Sequence, residues 1–305
     1  MLRARSSRHT RRVAAGLAAS AAALAASALA LAAGAVAASG RAAAAPVAHS
    51  AIVGGRAAPT GTFPWLAYVQ YNPTPNTNTN CTGAVVAADL VLTSAHCAVN
   101  LQTGKLLPAS KFTIATGNVN LKQSSTLQVS DVAKVLVHPG YQPYDSFGGD
   151  AALLVLARPT TEPALPLAGP GEVRLLKAGT PDVVAGWGRV APNDAQLIST
   201  LRWGTVVTQS PQYCARESRA HRIALDEQEE FCAIDPRFHV QVCYGDSGGP
   251  IIVEPTRRTA VAVGIATLAR DCSARLPAIY TRTDFIYGWV QRMIAAYPVR
   301  GRLRR

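Results

Sequence analysis

Short apolar or alternating runs, broken by Gly, Pro and Asn, make up most of the chain after residue 52. They are rich in Val and Ile, whose branched side chains pack well on a pleated sheet, and they are spaced like the strands of antiparallel barrels. The runs cover residues 83–86, 90–93, 112–115, 132–137, 151–156, 182–185, 201–208, 250–253, 260–267 and 278–281. This pattern predicts an all-β body.

Apolar residues recur at helical spacing only near the end of the chain, between Phe285 and Tyr297. Asp284 precedes this segment as a candidate N-cap, and Pro298 follows it. Both positions are typical of helix ends. We therefore predict a single, C-terminal α-helix.

A segment rich in Pro and Gly, from Pro159 to Gly171, divides the strand runs into two similar groups. Such a segment is the natural linker between two barrels. We therefore predict an N-terminal barrel over residues 52–165 and a second barrel, with the terminal helix, over residues 166–298. The basic tail, 299–305, is predicted to be solvated.

The first 51 residues have the composition of a targeting segment. Five Arg residues precede an uncharged stretch from Val13 to Ser39, in which 16 of 27 residues are Ala. This is the layout of a secretory signal, and two small-x-small cleavage sites agree with it. The alternative is a retained membrane anchor, because the stretch reaches spanning length. We predict a signal over residues 1–45, a propeptide over 46–51, and a secreted, extracellular product without stable membrane insertion.

Net charge adds little to this picture. The 305 residues include 30 Lys or Arg and 18 Asp or Glu, but six of the Arg residues lie in the first 51, which leaves 24 − 18 = +6. The remaining basic residues are scattered rather than clustered, so nucleic-acid binding is not predicted. Apolar residues make up 49% of the chain, which is too many for a disordered protein.

Six Cys residues all lie after the signal, and an even number in an exported chain indicates disulfides. They are Cys81, Cys97, Cys214, Cys232, Cys243 and Cys272. No pair has the short spacing of a zinc site. Six Cys residues allow 15 pairings, so the sequence alone predicts three disulfides without a connectivity.

Three residues carry candidate chemistry: His96 in TSAHC, Asp150 in GGDAALLVL and Ser247 in GDSGGP. A Ser hydroxyl needs a neighbouring base to become a nucleophile, and that base needs an orienting acceptor. Each residue alone has an ordinary structural reading: Ser247 in a turn, His96 in the core, Asp150 at a strand end. Their joint occurrence favours nucleophilic catalysis.

The GDSGG segment also fits the nucleophile turn of α/β-hydrolases, which makes a lipase or esterase the rival enzyme. That fold needs its catalytic His after the Ser in the chain. The six His residues are at positions 9, 49, 96, 138, 221 and 239, and none follows Ser247. The order of the residues therefore excludes this rival.

From Ile52 to about Tyr297 the chain resembles the trypsin/chymotrypsin-type (S1) serine proteases. The motifs that carry the resemblance occur in the family's order, and they are IVGG at residues 52–55, TSAHC, GGDAALLVL and GDSGGP. Shorter matches agree, namely Phe63-Pro64-Trp65, Val137-His138-Pro139, Ala185-Gly186-Trp187-Gly188 and Ile279-Tyr280-Thr281-Arg282. The resemblance implies a chymotrypsin-like fold of two antiparallel six-stranded β-barrels with a C-terminal α-helix.

The resemblance also implies the roles of the candidate residues. His96 would act as base, Asp150 would orient it, and Ser247 would be the nucleophile of a serine endopeptidase. Backbone N–H groups of Gly245 and Ser247 would form the oxyanion hole. Family pairing would join Cys81 to Cys97, Cys214 to Cys232 and Cys243 to Cys272.

Family members are activated by a cut that frees an amine, which here would be that of Ile52, pairing with Asp246. The residue before the cut is Ala51 rather than the Lys or Arg of many relatives, so an Ala-tolerant protease or self-cleavage is expected to activate this zymogen. A buried pair of this kind works as a switch because either charge left alone is costly.

The residues expected to bind substrate are Gln241, Tyr244, Thr267, Leu268, Ala269 and Ala278. Gln241 stands where trypsin-like relatives carry an Asp, so a preference for Lys or Arg is not expected. The extra methyl groups of Ala269 and Ala278 favour small or medium side chains, while Gln241 could instead bind a polar one.

No cofactor and no metal is predicted, because residues 117–126 lack the carboxylates of a calcium site. Protein or peptide substrates and protease inhibitors are the implied partners of a monomer. The alternative function is a catalytically weak, protease-like protein that binds a partner, since fold does not guarantee activity.

Overall fold

The computed structural model describes residues 52–72, 79–143, 148–191, 193, 198–253 and 259–298. The predicted signal, propeptide and basic tail lie outside these residues. Their boundaries therefore stay predictions.

Six strands close the first barrel in the order β2-β3-β4-β7-β6-β5, with every pair antiparallel. The strands are β2 (Leu66–Tyr71), β3 (Thr79–Ala87), β4 (Leu90–Thr93), β5 (Phe112–Thr116), β6 (Gln128–Val137) and β7 (Ala152–Leu156). Five of them overlap a predicted run; β2 was not predicted.

Six further strands close the second barrel, in which β8 pairs with both β9 and β11. They are β8 (Pro181–Gly186), β9 (Arg202–Thr208), β10 (Glu230–Ile234), β11 (Pro250–Val253), β12 (Val261–Leu268) and β13 (Ala278–Arg282). A short strand, β1 (Arg56–Ala57), is attached to the outside of β9. The predicted double barrel is confirmed, although β1 and β10 were not among the predicted runs.

Strand β7, which follows the predicted catalytic residue Asp150, is apolar and buried at every position. Leu154 and Leu156 pack inside the first barrel, whereas Leu153 and Val155 join a cluster that also holds second-barrel residues such as Ile252. Because both faces are buried, every position is apolar instead of every second one. This places Asp150, two residues before β7, at the junction of the two barrels.

The C-terminal helix is confirmed as α2 (Thr283–Ala296), but Asp284 is not its N-cap. The N-cap is Arg282, and Asp284 lies in the first turn, where its carboxylate is 2.7 Å from the Arg282 guanidinium. An acid in the first turn is favoured by the helix dipole. The ion pair, rather than a side-chain cap, therefore marks this helix start.

A second helix, α1 (Pro211–His221), contradicts the prediction that only the chain end is helical. Ser210 caps it by accepting the N–H of Tyr213, and Pro211 occupies a first-turn position. Within α1 only Cys214, Ala215 and Ser218 are buried. The helix therefore lacks the apolar stripe from which helices are recognised in sequence.

Three disulfides join the Cys pairs that the family resemblance implied. Cys81–Cys97 ties β3 to the segment after β4, and Cys214–Cys232 ties α1 to β10. Cys243–Cys272 joins the loop before β11 to the loop after β12. Two of the three bonds thus hold segments that carry candidate site residues.

Candidate active site

His96 and Asp150 are brought together by the pairing of β4 with β7. Thr93, at the end of β4, lies opposite Ala152 in the ladder, so the turn holding His96 meets the segment that carries Asp150 into β7. The Nδ1 atom of His96 is 2.7 Å from Oδ2 of Asp150, and the His96 backbone N–H donates to Oδ1 at 2.8 Å. Both carboxylate oxygens of Asp150 are therefore hydrogen-bonded to His96.

The electrostatic environment that Asp150 gives His96 suits His96 to act as a base. Burial lowers the pKa of His96, whereas the charge of Asp150 and the hydrogen bond to it raise the pKa, and the net shift is upward. Asp150 is fully buried, and the His96 side chain keeps 15% of its surface exposed. Because Nδ1 faces the carboxylate, Nε2 is the nitrogen left to accept a proton.

Ser247 approaches from the second barrel on the loop before β11. Its carbonyl accepts the N–H of Thr82 at 2.9 Å, and the Thr82 hydroxyl donates to Gly245 O at 2.9 Å. Strand β3 of the first barrel thus holds the loop in place. A cavity of about 280 Å³ opens here, lined by His96, Leu101, Val242, Cys243, Tyr244, Ser247, Ala266, Thr267, Leu268 and Ala269.

In the loop that carries Ser247, the carbonyl oxygens of Tyr244 and Asp246 accept hydrogen bonds from residues that do not line the cavity. Tyr244 O accepts the N–H of Arg189 at 2.7 Å, and Asp246 O accepts that of Gly249 at 2.9 Å. In a trans peptide the N–H points opposite to the C=O. The N–H groups of Gly245 and Ser247 belong to the same peptide groups as these two carbonyls, so they point away from Arg189 and Gly249. Gly245 has φ +98°, a conformation that only Gly adopts easily.

The predicted activation residues are both buried in the second barrel. Ile52 is completely buried, and Val53 pairs with Gln241. The carboxylate of Asp246 accepts the backbone N–H groups of Gly188 and Cys243, each at 2.8 Å. Burial raises the pKa of Asp246 to about 7, although these two hydrogen bonds lower it. Among the described residues, no cation compensates this carboxylate.

Four of the six predicted substrate residues line the cavity: Tyr244, Thr267, Leu268 and Ala269. Gln241 and Ala278 are buried and do not line it. The Gln241 amide donates to Ser273 O at 3.1 Å and to Leu276 O at 2.6 Å, and its oxygen accepts the N–H of Val242 at 3.0 Å. The polar end of Gln241 therefore holds the 273–276 turn.

Known protein families include one that fits both the double barrel and this site. The family model described as Trypsin matches residues 52–290.

The chain belongs to the trypsin family.

Its relatives include serine protease 56 of Mus musculus, 32% identical over 82% of this chain but only 40% of that protein. Granzyme-like protein 1 of Rattus norvegicus is 30% identical over 81% of this chain and 93% of its own. A trypsin-like protease of Streptomyces glaucescens is 31% identical, over 79% and 81% of the two chains. The solved structure described as "Structure of GrC" matches with a TM-score of 0.66 and 26% identity over 80% of this chain and 100% of that one.

This member of the trypsin family shows no helix, within the residues described, that is long and apolar enough to span a membrane. In the same residues, potential metal ligands cluster only at Cys81, His96 and Cys97. Both Cys residues are joined in a disulfide, so they offer no thiolate to a metal. The cluster carries no metal chemistry.

Glu230 was missed by the sequence analysis, although it lies near the catalytic-site candidates of this trypsin-family protein. It is 2% exposed at the start of β10, one oxygen accepts the N–H of Asp226 at 3.0 Å, and the other has no partner. Burial and the nearby charges of Asp150, Asp226 and Glu229 raise the pKa of Glu230 to about 8, against the lowering effect of the Asp226 N–H. No pattern in the sequence marks an acid as buried in this way.

The raised pKa of Glu230 predicts a pH-dependent stability. A folded-state pKa above the unfolded one means that the folded protein binds the extra proton, so the contribution of Glu230 to stability is largest below its ordinary pKa of 4.5 and is lost as the pH rises towards 8. In a Ser247→Ala background, which prevents self-digestion, Glu230→Gln is expected to reduce the loss of unfolding free energy between pH 5 and 8 by on the order of 3 kcal/mol. Thermal unfolding at both pH values measures this.

The matched control is Glu227→Gln, which changes an exposed acid three residues earlier in the chain. It is expected to leave the difference between pH 5 and 8 unchanged. Equal pH dependence in the Glu230→Gln protein and in the protein that retains Glu230 would show that Glu230 is ionised in the folded state at neutral pH.

Proposed function

We propose that this protein is a secreted serine endopeptidase whose active form begins at Ile52 and which cleaves after small or medium apolar residues. The observation that carries the proposal is the His96–Asp150 pair, which faces Ser247 across one cavity. The membership of the trypsin family supports the same reaction class.

In the proposed reaction, Ser247 Oγ attacks the carbonyl carbon of the scissile bond while its proton passes to His96 Nε2. The charge that develops on the carbonyl oxygen is met by the N–H groups of Gly245 and Ser247. His96 then gives the proton to the leaving amine as the C–N bond breaks, which leaves an acyl-enzyme on Ser247. Water, activated by His96 in the same way, releases the second product.

Activation is proposed to supply a cation to Asp246. A cut after Ala51 would free the amine of Ile52, whose side chain is already buried in the second barrel. Its positive charge beside Asp246 would compensate the carboxylate that holds the N–H groups of Gly188 and Cys243. The oxyanion loop would then be fixed by an ion pair as well as by hydrogen bonds.

The proposed preference for an apolar residue before the cut rests on the cavity wall. Val242, Ala266, Leu268 and Ala269 supply aliphatic surface. The Thr267 hydroxyl is hydrogen-bonded to that of Thr281 at 2.8 Å. Because the Gln241 amide is also occupied, the walls offer little to bind a charged side chain. Burying a charged side chain without a partner is costly.

One experiment tests both parts of the proposal. The exported protein is treated with two peptidyl phosphonates that differ only in carrying Val or Lys at the position before the reactive group, and its intact mass is followed. We expect the form beginning at Ile52 to gain one adduct, faster with the Val reagent by at least about tenfold. The Ser247→Ala protein serves as the control and should gain none.

Each outcome has a distinct meaning. An Ile52 form that takes up neither reagent would contradict peptidase activity and favour the alternative of a binding protein. Faster labelling by the Lys reagent would overturn the proposed specificity but keep the triad. A labelled protein that still carries residues before Ile52 would overturn the proposed activation.

A further inference from the structure

His138 connects the C-terminal helix to the loop that carries Asp150. It follows β6 directly, and its backbone N–H donates to Ala151 O at 2.9 Å. Its ring centroid lies 5.4 Å from that of Phe285 and 5.2 Å from that of Trp289, both on α2. A residue of the first barrel therefore packs on a helix that follows the second.

On its other side the same ring lies against the residues next to Asp150. The Nδ1 atom accepts the N–H of Gly140 at 3.2 Å. A Cβ placed on Gly149 would lie 2.8 Å from that Nδ1 atom, and Gly149 has φ +63°, so the ring packs closely on a position that favours Gly. Gly149 immediately precedes Asp150, whose oxygens both accept from His96.

The hydrogen bond to Gly140 requires a neutral imidazole. Protonation would place a hydrogen on Nδ1, opposite the N–H of Gly140, and replace an acceptor with a second donor. In the described residues, the charged group of α2 that acts on the ring is Arg292, and burial and this charge lower the pKa of His138. On the loop side the charged groups are Asp150, whose carboxylate is held by His96, and Glu229, whose carboxylate accepts the backbone N–H of Gly149.

We propose that His138 is a positioning residue for Asp150: its neutral imidazole, packed on the C-terminal helix, holds the Gly140 turn against which Gly149 packs, and protonation loosens this support of Asp150. This inference rests on the proposed peptidase function. The position of Asp150 relative to His96 sets the orientation of the base, and displacement of a catalytic group by about 1 Å costs up to about 10²-fold in rate.

The test measures kcat and KM from pH 4.5 to 8 on the Ile52 form of four proteins. In the natural protein, log kcat is expected to fall with slope one as His96 is protonated, and with slope two at lower pH, where His138 also takes a proton. His138→Asn retains an oxygen that can accept the Gly140 N–H but does not titrate, so the slope should stay at one. Arg292→Gln removes the charge facing the ring and should move the steeper region to higher pH.

His138→Phe separates the hydrogen bond from ring packing. It keeps an aromatic ring against Phe285 and Trp289 but accepts no hydrogen bond, so we expect kcat to fall about tenfold at every pH, with KM within about twofold. Should this variant fail to fold, the slopes of the Asn and Arg292 variants decide the matter. Rescue of kcat in His138→Asn relative to His138→Phe supports the positioning role.

A slope of one in the natural protein over the whole range, or a slope of two retained in His138→Asn, would overturn the inference. These outcomes require an active enzyme, so they are distinguishable from failure of the proposed function. If the proposed function failed, the natural Ile52 form would neither hydrolyse peptides nor react with a phosphonate.

Discussion

Replacing Asp150 by Asn is expected to lower kcat by about 10⁴-fold and to leave KM within about threefold. The Asn oxygen would still accept the backbone N–H of His96, which Oδ1 accepts in the structure at 2.8 Å. The amide nitrogen, however, would donate to Nδ1. That bond selects the tautomer with the proton on Nε2, so the imidazole could no longer take the proton of Ser247.

The control for this prediction is Asp182→Asn, the same change at another fully buried acid. Oδ2 of Asp182 accepts the Thr208 hydroxyl at 2.6 Å, within the second barrel. We expect its kcat to stay within about threefold, because the residue does not touch the site. A loss below tenfold in Asp150→Asn, measured on an intact fold, would contradict the role assigned to Asp150.

Replacing Asp246 by Ala is expected to lower kcat by about 10²–10³-fold, the usual cost of losing an oxyanion donor. Without the carboxylate, the buried N–H groups of Gly188 and Cys243 lose their acceptor, and the Ile52 amine of the cut form loses its proposed counter-charge. The Gly245 peptide is then held only by the contacts of Thr82 and Arg189, which we expect to be too few to keep its N–H in place. The measurement is the phosphonate labelling rate together with kcat on a peptide substrate.

Asp246→Asn provides a graded comparison for this effect. Its single carbonyl oxygen can accept one of the two N–H groups, so we expect an activity between that of the natural protein and that of the Asp246→Ala variant. Full activity in Asp246→Ala would mean that the contacts of Thr82 and Arg189 hold the loop without the carboxylate.

Sequence patterns predicted most of the strands because local composition and burial agree there. Strands β4 and β11 have the bounds of their predicted runs. Helix α1 escaped detection, since it buries little more than a disulfide-bonded Cys, an Ala and a Ser. Strand β2 is buried at its first four positions, as β4 and β11 are throughout, but its sequence LAYVQY includes Gln70 and only one Val or Ile. A buried strand is recognised from a run of branched apolar residues, and β2 lacks one.

Motifs placed His96, Asp150 and Ser247 together, yet they could not describe how the neighbours are used. Gln241 occupies the position expected at the pocket floor, but its amide binds a turn 32 to 35 residues further along the chain. Glu230 and His138 likewise depend on residues far along the chain, Asp150 for Glu230 and Trp289 for His138. The sequence shows which side chains are present. Tertiary contacts decide which of these side chains remain free to bind a substrate.

Strand β1 has a consequence for the order in which the chain can fold. Arg56 and Ala57 precede the whole first barrel, but they pair with Trp203 and Arg202 of β9, and the Arg56 guanidinium lies 3.7 Å from the Trp203 ring. Synthesis proceeds from the N-terminus, and N-terminal units generally fold first. The first barrel can therefore form while the segment around residue 52 still lacks its partner strand, so this segment remains accessible for the proposed cut until the second barrel folds around it.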